Sequence, residues 1–134
     1  MPNVSVKATI VGSSVEFSDV NPTGNGVRVD AQHLSHLLVE PNPEAYRITI
    51  ELQGGLQFQE TAITFNTSST SIPRNPENPS QCTVSDTNQL TSGQSPEPIS
   101  FSMHTTGGSV GASSLPNREV EDPTIVNNPP PDGA

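Results

Sequence analysis

His33 and His36 stand three residues apart, the nearest thing in this chain to a metal motif. On a helix the two imidazoles would share a face and chelate; on a strand they would point to opposite sides. Zinc takes four ligands drawn from Cys, His and carboxylate, and Cys82 and His104 lie far away in sequence. The plainer reading is two surface histidines on a loop or edge. Cys82 beside a histidine would make a nucleophile pair. However, Pro79-Ser80-Gln81-Cys82-Thr83-Val84 reads as the entry to a strand, with a buried, inert thiol. Ser100, Ser102 and His104 fall on one strand face opposite Phe101, as the polar face of any strand would. Glu119, Glu121 and Asp122 offer clustered carboxylate oxygens of the kind Ca²⁺ uses. They lack the Asp-x-Asp-x-Asp-Gly spacing of a calcium loop and read equally as a solvated segment. Gly24-Asn25-Gly26 and Gly107-Gly108 have neither the lysine nor the following helix of a phosphate loop. The expectation is no catalytic residue, no cofactor and no metal, hence no enzyme.

The elements that must hold these residues are strands. Val4, Val6, Ala8 and Ile10 alternate with Ser5, Lys7 and Thr9, the period of a half-buried strand. Gly12-Ser13-Ser14 turns into a second strand on Val15 and Phe17, and residues 21–26 form a loop punctuated by Pro and Gly. Val27-Arg28-Val29 is a third strand. Residues 30–40 fit either a strand or a short helical turn capped by Asp30, and strand is favoured in a chain patterned as β. Tyr46, Ile48, Ile50 and Leu52 make the best strand, followed by Gly54-Gly55 and by strands on Leu56–Phe58 and 62–65. Residues 66–98 read as a long Pro/Ser/Asn-rich loop region, with Pro73, Pro76 and Pro79 suited to polyproline II and a short strand near 82–84. Ile99, Phe101 and Met103 form a last strong strand. Residues 107–116 read as flexible, 119–126 as an edge strand limited by Pro123, and 127–134 as a flexible C-terminal tail. Seven to nine short strands with turn signals between them predict an all-β, antiparallel β-sandwich over residues 1–126, immunoglobulin-like in the broad sense.

Composition bounds the core and the partners. Among 134 residues only 30% are hydrophobic, and Leu, Ile, Val and Phe together are 30 residues, little above the share at which disorder takes over. The core must therefore be small and well patterned. Fourteen Pro and ten Gly exclude a long helical bundle. The net charge of −9, with Lys7, Arg28, Arg47, Arg74 and Arg118 scattered, excludes a basic face for nucleic acid or anionic membrane. One cysteine permits no internal disulfide, and the first residues do not read as a secretory leader. A cytoplasmic protein is the expectation.

Glu97-Pro98 precedes the strand Phe101-Ser102-Met103-His104, and Asp122-Pro123-Thr124-Ile125-Val126-Asn127-Asn128-Pro129 follows a spacer. These residues, about a fifth of the chain, resemble the bacterial DP-EP family and, more distantly, bacterial inclusion-body proteins. The resemblance implies a bacterial β-domain with no enzymatic activity to transfer, and singles out Asp122 and Asn127. The candidate site residues are thus Glu119, Glu121, Asp122 and Asn127; the plainer alternative is a solvated segment for the two glutamates, a turn former for Asp122 and a strand end for Asn127. The leading expectation is a non-enzymatic binding or self-assembling domain, a homo-oligomer through its sheet edges. A lectin-like carbohydrate- or calcium-binding module is the alternative, and the ligand would be carbohydrate or protein.

Overall fold

The computed structural model describes residues 3–22, 26–66, 70–107, 109–110, 113–114 and 118–130. Among them the chain is all-β, in two mixed sheets that face each other as a sandwich without closing into a barrel. The first sheet has four strands. β1 (Asn3–Val11) is flanked by β2 (Ser14–Asn21) on one side and β5 (Tyr46–Leu52) on the other, and β8 (Gln81–Asp86) closes the far edge. The second runs from β3 (Val27–Asp30) through β4 (His33–Val39), β13 (Thr124–Asn127), β9 (Glu97–Thr106) and β6 (Gln57–Phe65) to β7 (Ser71–Pro73). β12 (Arg118–Val120) pairs with the far half of β9, and β10 (Ser109–Val110) and β11 (Ser113–Ser114) form a small ribbon.

Alternation builds the core. From the first sheet Val4, Val6 and Ala8, then Val15 and Phe17, then Tyr46, Ile48, Ile50 and Leu52, then Cys82 and Val84 point inward. They meet Leu37, Val39, Phe58, Ile63, Phe101, Met103, Val120 and Ile125 from the second. β1, β5 and β8 bury every second side chain, so a small apolar fraction suffices when nearly all of it faces one way. Cys82 is fully buried, and that burial pushes its thiol pKa up to about 12. The folded protein is therefore expected to ignore a maleimide or disulfide reagent at pH 8 and to react once unfolded. Stoichiometric labelling of the native state within minutes would contradict this burial.

Several expectations need correction. The sheets are not purely antiparallel: β1 runs parallel to β5, and β4 parallel to β13. Each of these pairs joins strands distant in sequence, which alternation alone does not reveal. Residues 33–39 are strand, the favoured of the two readings. Yet the His33 and His36 rings stack, with centroids 5.1 Å apart, instead of opposing each other. The reason is a break in the β3–β4 register between Val29 and Asp30, which disturbs the alternation. The short strand expected near 82–84 is β8, and the 66–98 region also carries β7, the first residues of β9 and an isolated bridge between Asn75 and Asn78. Residues 119–126 do not make one edge strand. The segment breaks at Glu121–Pro123 into β12 and β13, and β13 lies between β4 and β9. Pro123 sits in the break, where its missing N–H costs no ladder bond, while its carbonyl accepts from the Phe101 N–H at 3.0 Å. Asn127 closes β13 fully buried, and the Asn128 N–H donates to the Val39 carbonyl at 2.9 Å. Of the expected tail, residues 131–134 lie outside the described residues, as do 108, 111–112 and 115–116 of the expected flexible stretch.

Candidate functional site

A depression of about 690 Å³ opens beside the end of β2, where its pairing with β1 is irregular. The cause is a bulge. Ser5 pairs with Asn21 but Lys7 with Ser18, so β2 carries one extra residue there. Asp19 absorbs it with φ of +52°, in the left-handed region that Asp tolerates better than most side chains. The opening is floored by Val6 and Val27, both buried, with Val20 and Val29 beside them. Four charged groups stand around it: Lys7 and Glu51 from the first sheet, Asp19 from the bulge, and Arg28 from β3. Lys7 Nζ lies 3.5 Å from Asp19 Oδ2, and Arg28 Nη1 lies 3.5 Å from Glu40 Oε1. All four partners are well exposed, so these pairs contribute little to stability and leave the cations accessible to a ligand. Arg28 also lines two smaller hollows of about 510 and 210 Å³, with Glu40 in both and Pro41 in the first. An apolar floor with a few converging polar groups is the usual make-up of a ligand site.

The outer face of the first sheet continues from this cleft. Asn21, Ser5, Thr49 and Thr83 stand in one register row across all four strands, and the Thr49 and Thr83 hydroxyls are hydrogen-bonded at 3.2 Å. The next row holds Asn3, Arg47 and Ser85 around a shallow hollow of about 660 Å³. Hydroxyls and amides at the interstrand spacing of about 4.8 Å make a flat hydrogen-bonding array.

The residues singled out from sequence do not form one site. Glu119 pairs with His104 across β12 and β9, its Oε2 3.5 Å from His104 Nδ1. Glu121 is fully exposed, and its pKa is raised by a hydrogen bond and then by charge repulsion from Glu119. Asp122 works structurally, its Oδ1 accepting the Val15 N–H at 3.3 Å and so tying the corner before β13 to β2. Asn127 pairs with Glu97, seven residues from His104 along β9, or about 24 Å at strand rise.

Asn127 belongs instead to a polar knot that sews the other end of the sandwich shut. Its Nδ2 lies 3.2 Å from Asp86 Oδ1, 3.2 Å from Glu97 Oε1 and 3.5 Å from the Thr87 carbonyl oxygen. Asp86 is buried at the end of β8, and burial is the main cause that raises its carboxyl pKa. The Asn127 amide opposes that shift, and the nearby Glu97 charge adds to it. Asn88 completes the knot, donating to the Val39 and Asn128 carbonyls at 2.9 Å each. Of these residues, sequence reasoning singled out only Asn127. Asp86 and Asn88 sat in a stretch read as loop, and nothing in their spacing distinguishes them from turn formers.

No three His, Cys, Asp or Glu side chains converge to hold a metal among the described residues. Nor is any helix there long and apolar enough to cross a membrane. No family model matches the chain, and no curated protein matches it.

Proposed function

We propose that this protein is a non-enzymatic binding module, a bacterial β-sandwich of broadly immunoglobulin-like type that works in the cytoplasm. Its ligand occupies the cleft beside the β2 bulge. The observation that carries this reading is the cleft itself: an apolar floor, two accessible cations and two carboxylates, opened by a residue held at positive φ. Backbone outliers of this kind gather at binding sites, where the surrounding fold holds them in place. The resemblance of Glu97-Pro98 and Asp122-Pro123 to the DP-EP family fits a bacterial β-domain of this kind. β2 and β8, the outer strands of the first sheet, offer the route to self-assembly, by pairing with a second copy or an extended peptide.

A thermal-shift screen of peptides and oligosaccharides, run on the wild type and on Arg28→Ala, tests the reading. A ligand that raises the wild-type midpoint by several degrees should lose at least tenfold in affinity on Arg28→Ala. If no ligand acts, or if every active ligand is indifferent to Arg28→Ala and Lys7→Ala alike, the cleft is not the site. The second, lectin-like reading draws on the Asn21–Ser5–Thr49–Thr83 row, a surface matched to sugar hydroxyls. It calls for oligosaccharide hits that are sensitive to Thr49→Val and Thr83→Val.

A further inference from the structure

We propose that Asp86, Glu97, Asn127 and the Thr87 carbonyl form a calcium site at the closed end of the sandwich. This inference stands independently of whatever fills the cleft. It also moves calcium from the carboxylates around Asp122, where the sequence suggests it, to the opposite end of β9.

Two carboxylates and a backbone carbonyl converge on one side-chain amide, that of Asn127. An NH₂ group has only two hydrogens for these three acceptors. Two further oxygens are bare: Asn127 Oδ1 and Asp86 Oδ2 are buried and accept no hydrogen bond. Asn127 is 0% exposed and Asp86 5%. Among the described residues no lysine, arginine or histidine is paired with either carboxylate; Lys7, Arg28 and His104 pair with Asp19, Glu40 and Glu119. A buried carboxylate without a cation and with an idle oxygen is costly.

A cation among these oxygens, with the Asn127 amide turned, answers both carboxylates, although the turn moves Nδ2 to the place where Oδ1 has no partner. Turning the Asn127 amide about its last torsion puts Oδ1 where Nδ2 stands; an Asn amide's O and N are told apart only by their partners. Oδ1 then lies among Asp86 Oδ1, Glu97 Oε1 and the Thr87 carbonyl oxygen, at the distances of 3.2–3.5 Å now held by Nδ2. That is the spacing of neighbouring ligands in a calcium shell: two oxygens about 2.4 Å from the ion and at right angles are about 3.4 Å apart. Calcium takes six to eight oxygens, freely mixing carboxylates, amides, carbonyls and water. Asp86 and Glu97 can each add a second oxygen, and Glu97 lies at the exposed rim where water and the ion enter. Magnesium demands a tighter octahedron and sheds water reluctantly, so it fits the set less well. Asp86 comes from one sheet and Glu97 and Asn127 from the other, so the ion would pin the two layers together.

The chain supplies its own reporter. Tyr46 is the only tyrosine and there is no tryptophan, and Tyr46 is the register partner of Asp86. Terbium, a calcium stand-in, should therefore show emission on tyrosine excitation when added to the wild-type protein, and calcium should displace it. Millimolar calcium should raise the melting midpoint by at least about 5 °C, and a chelator should reverse the rise. Glu97→Gln, at the exposed rim, should fold normally and weaken calcium binding at least tenfold. Glu119→Gln/Glu121→Gln should leave both signals intact. Absence of a calcium shift, a full shift in Glu97→Gln, or loss of the signal in the Glu119/Glu121 variant would each overturn the assignment. So would a protein that acid stabilises and calcium does not, since a proton on Asp86 would then satisfy the pair.

Discussion

Asn127→Leu, measured by urea unfolding in the presence of a chelator, is expected to lose about 3–5 kcal/mol of stability, a midpoint about 10–20 °C lower. Leucine keeps the branching of asparagine, so the shape of the side chain changes less than its polarity. What changes is the company of Asp86. The Asn127 amide is the hydrogen-bond donor to the Asp86 side chain, and it holds Glu97 and the Thr87 carbonyl in the same grip. Without it, Asp86 remains buried with both oxygens bare. Breaking a buried polar pair from one side costs more than the pair contributes, because the surviving partner keeps its full desolvation penalty. The double variant Asp86→Leu/Asn127→Leu separates this cause from simple misfit. It removes the stranded carboxyl and should recover at least half of the loss. If the double variant is less stable than Asn127→Leu, the knot stabilises through geometry that leucine cannot copy, and the desolvation argument fails.

The knot shows where sequence reading stops. Alternation placed Val4, Val6, Ala8, Tyr46, Ile48, Ile50 and Phe101 on inner faces, and each is buried. That works because inside and outside on a strand is a local property with a fixed period of two. Strand partners are not local. The parallel β1–β5 pair is stabilised by a register, Val4 with Ile48 and Val6 with Ile50, between segments more than forty residues apart. The parallel β4–β13 pair spans nearly ninety. No residue in either strand announces its partner. For the same reason Asn127 drew notice only through a resemblance, and its partners Asp86 and Glu97 come from two other strands. The cleft was illegible for a further reason. Lys7, Asp19, Arg28 and Glu51 lie on four strands, and the opening exists because β2 holds one residue too many at Asp19. A bulge of this type calls for a residue that accepts positive φ, and Asp does so at little cost. Within Ser18-Asp19-Val20 such a residue looks like any polar position on an alternating strand.

Gly26→Ala should be the most damaging change of a single methyl group, costing about 2–4 kcal/mol. Gly26 enters β3 with φ of +88°, where any Cβ is strained. The added Cβ would also collide with the Tyr46 hydroxyl. That hydroxyl cannot step aside. It donates to the Glu40 carbonyl at 3.0 Å, while the Glu40 N–H donates to the Gly26 carbonyl at 2.8 Å. Three residues thus lock the ends of β3 and β4 to the start of β5, one sheet to the other, and Tyr46 is 1% exposed. The strain contributes about 1 kcal/mol or more and the overpacking about 1–3 kcal/mol. The two contributions can be separated. Tyr46→Phe alone should cost about 1 kcal/mol, the loss of one hydrogen bond. In the Tyr46→Phe background, Gly26→Ala should cost less than in the wild type, because the colliding atom is gone and only the backbone strain is left. Equal costs in the two backgrounds would mean that the backbone at Gly26 shifts to avoid the ring. The contact would then not be what reserves this position for glycine.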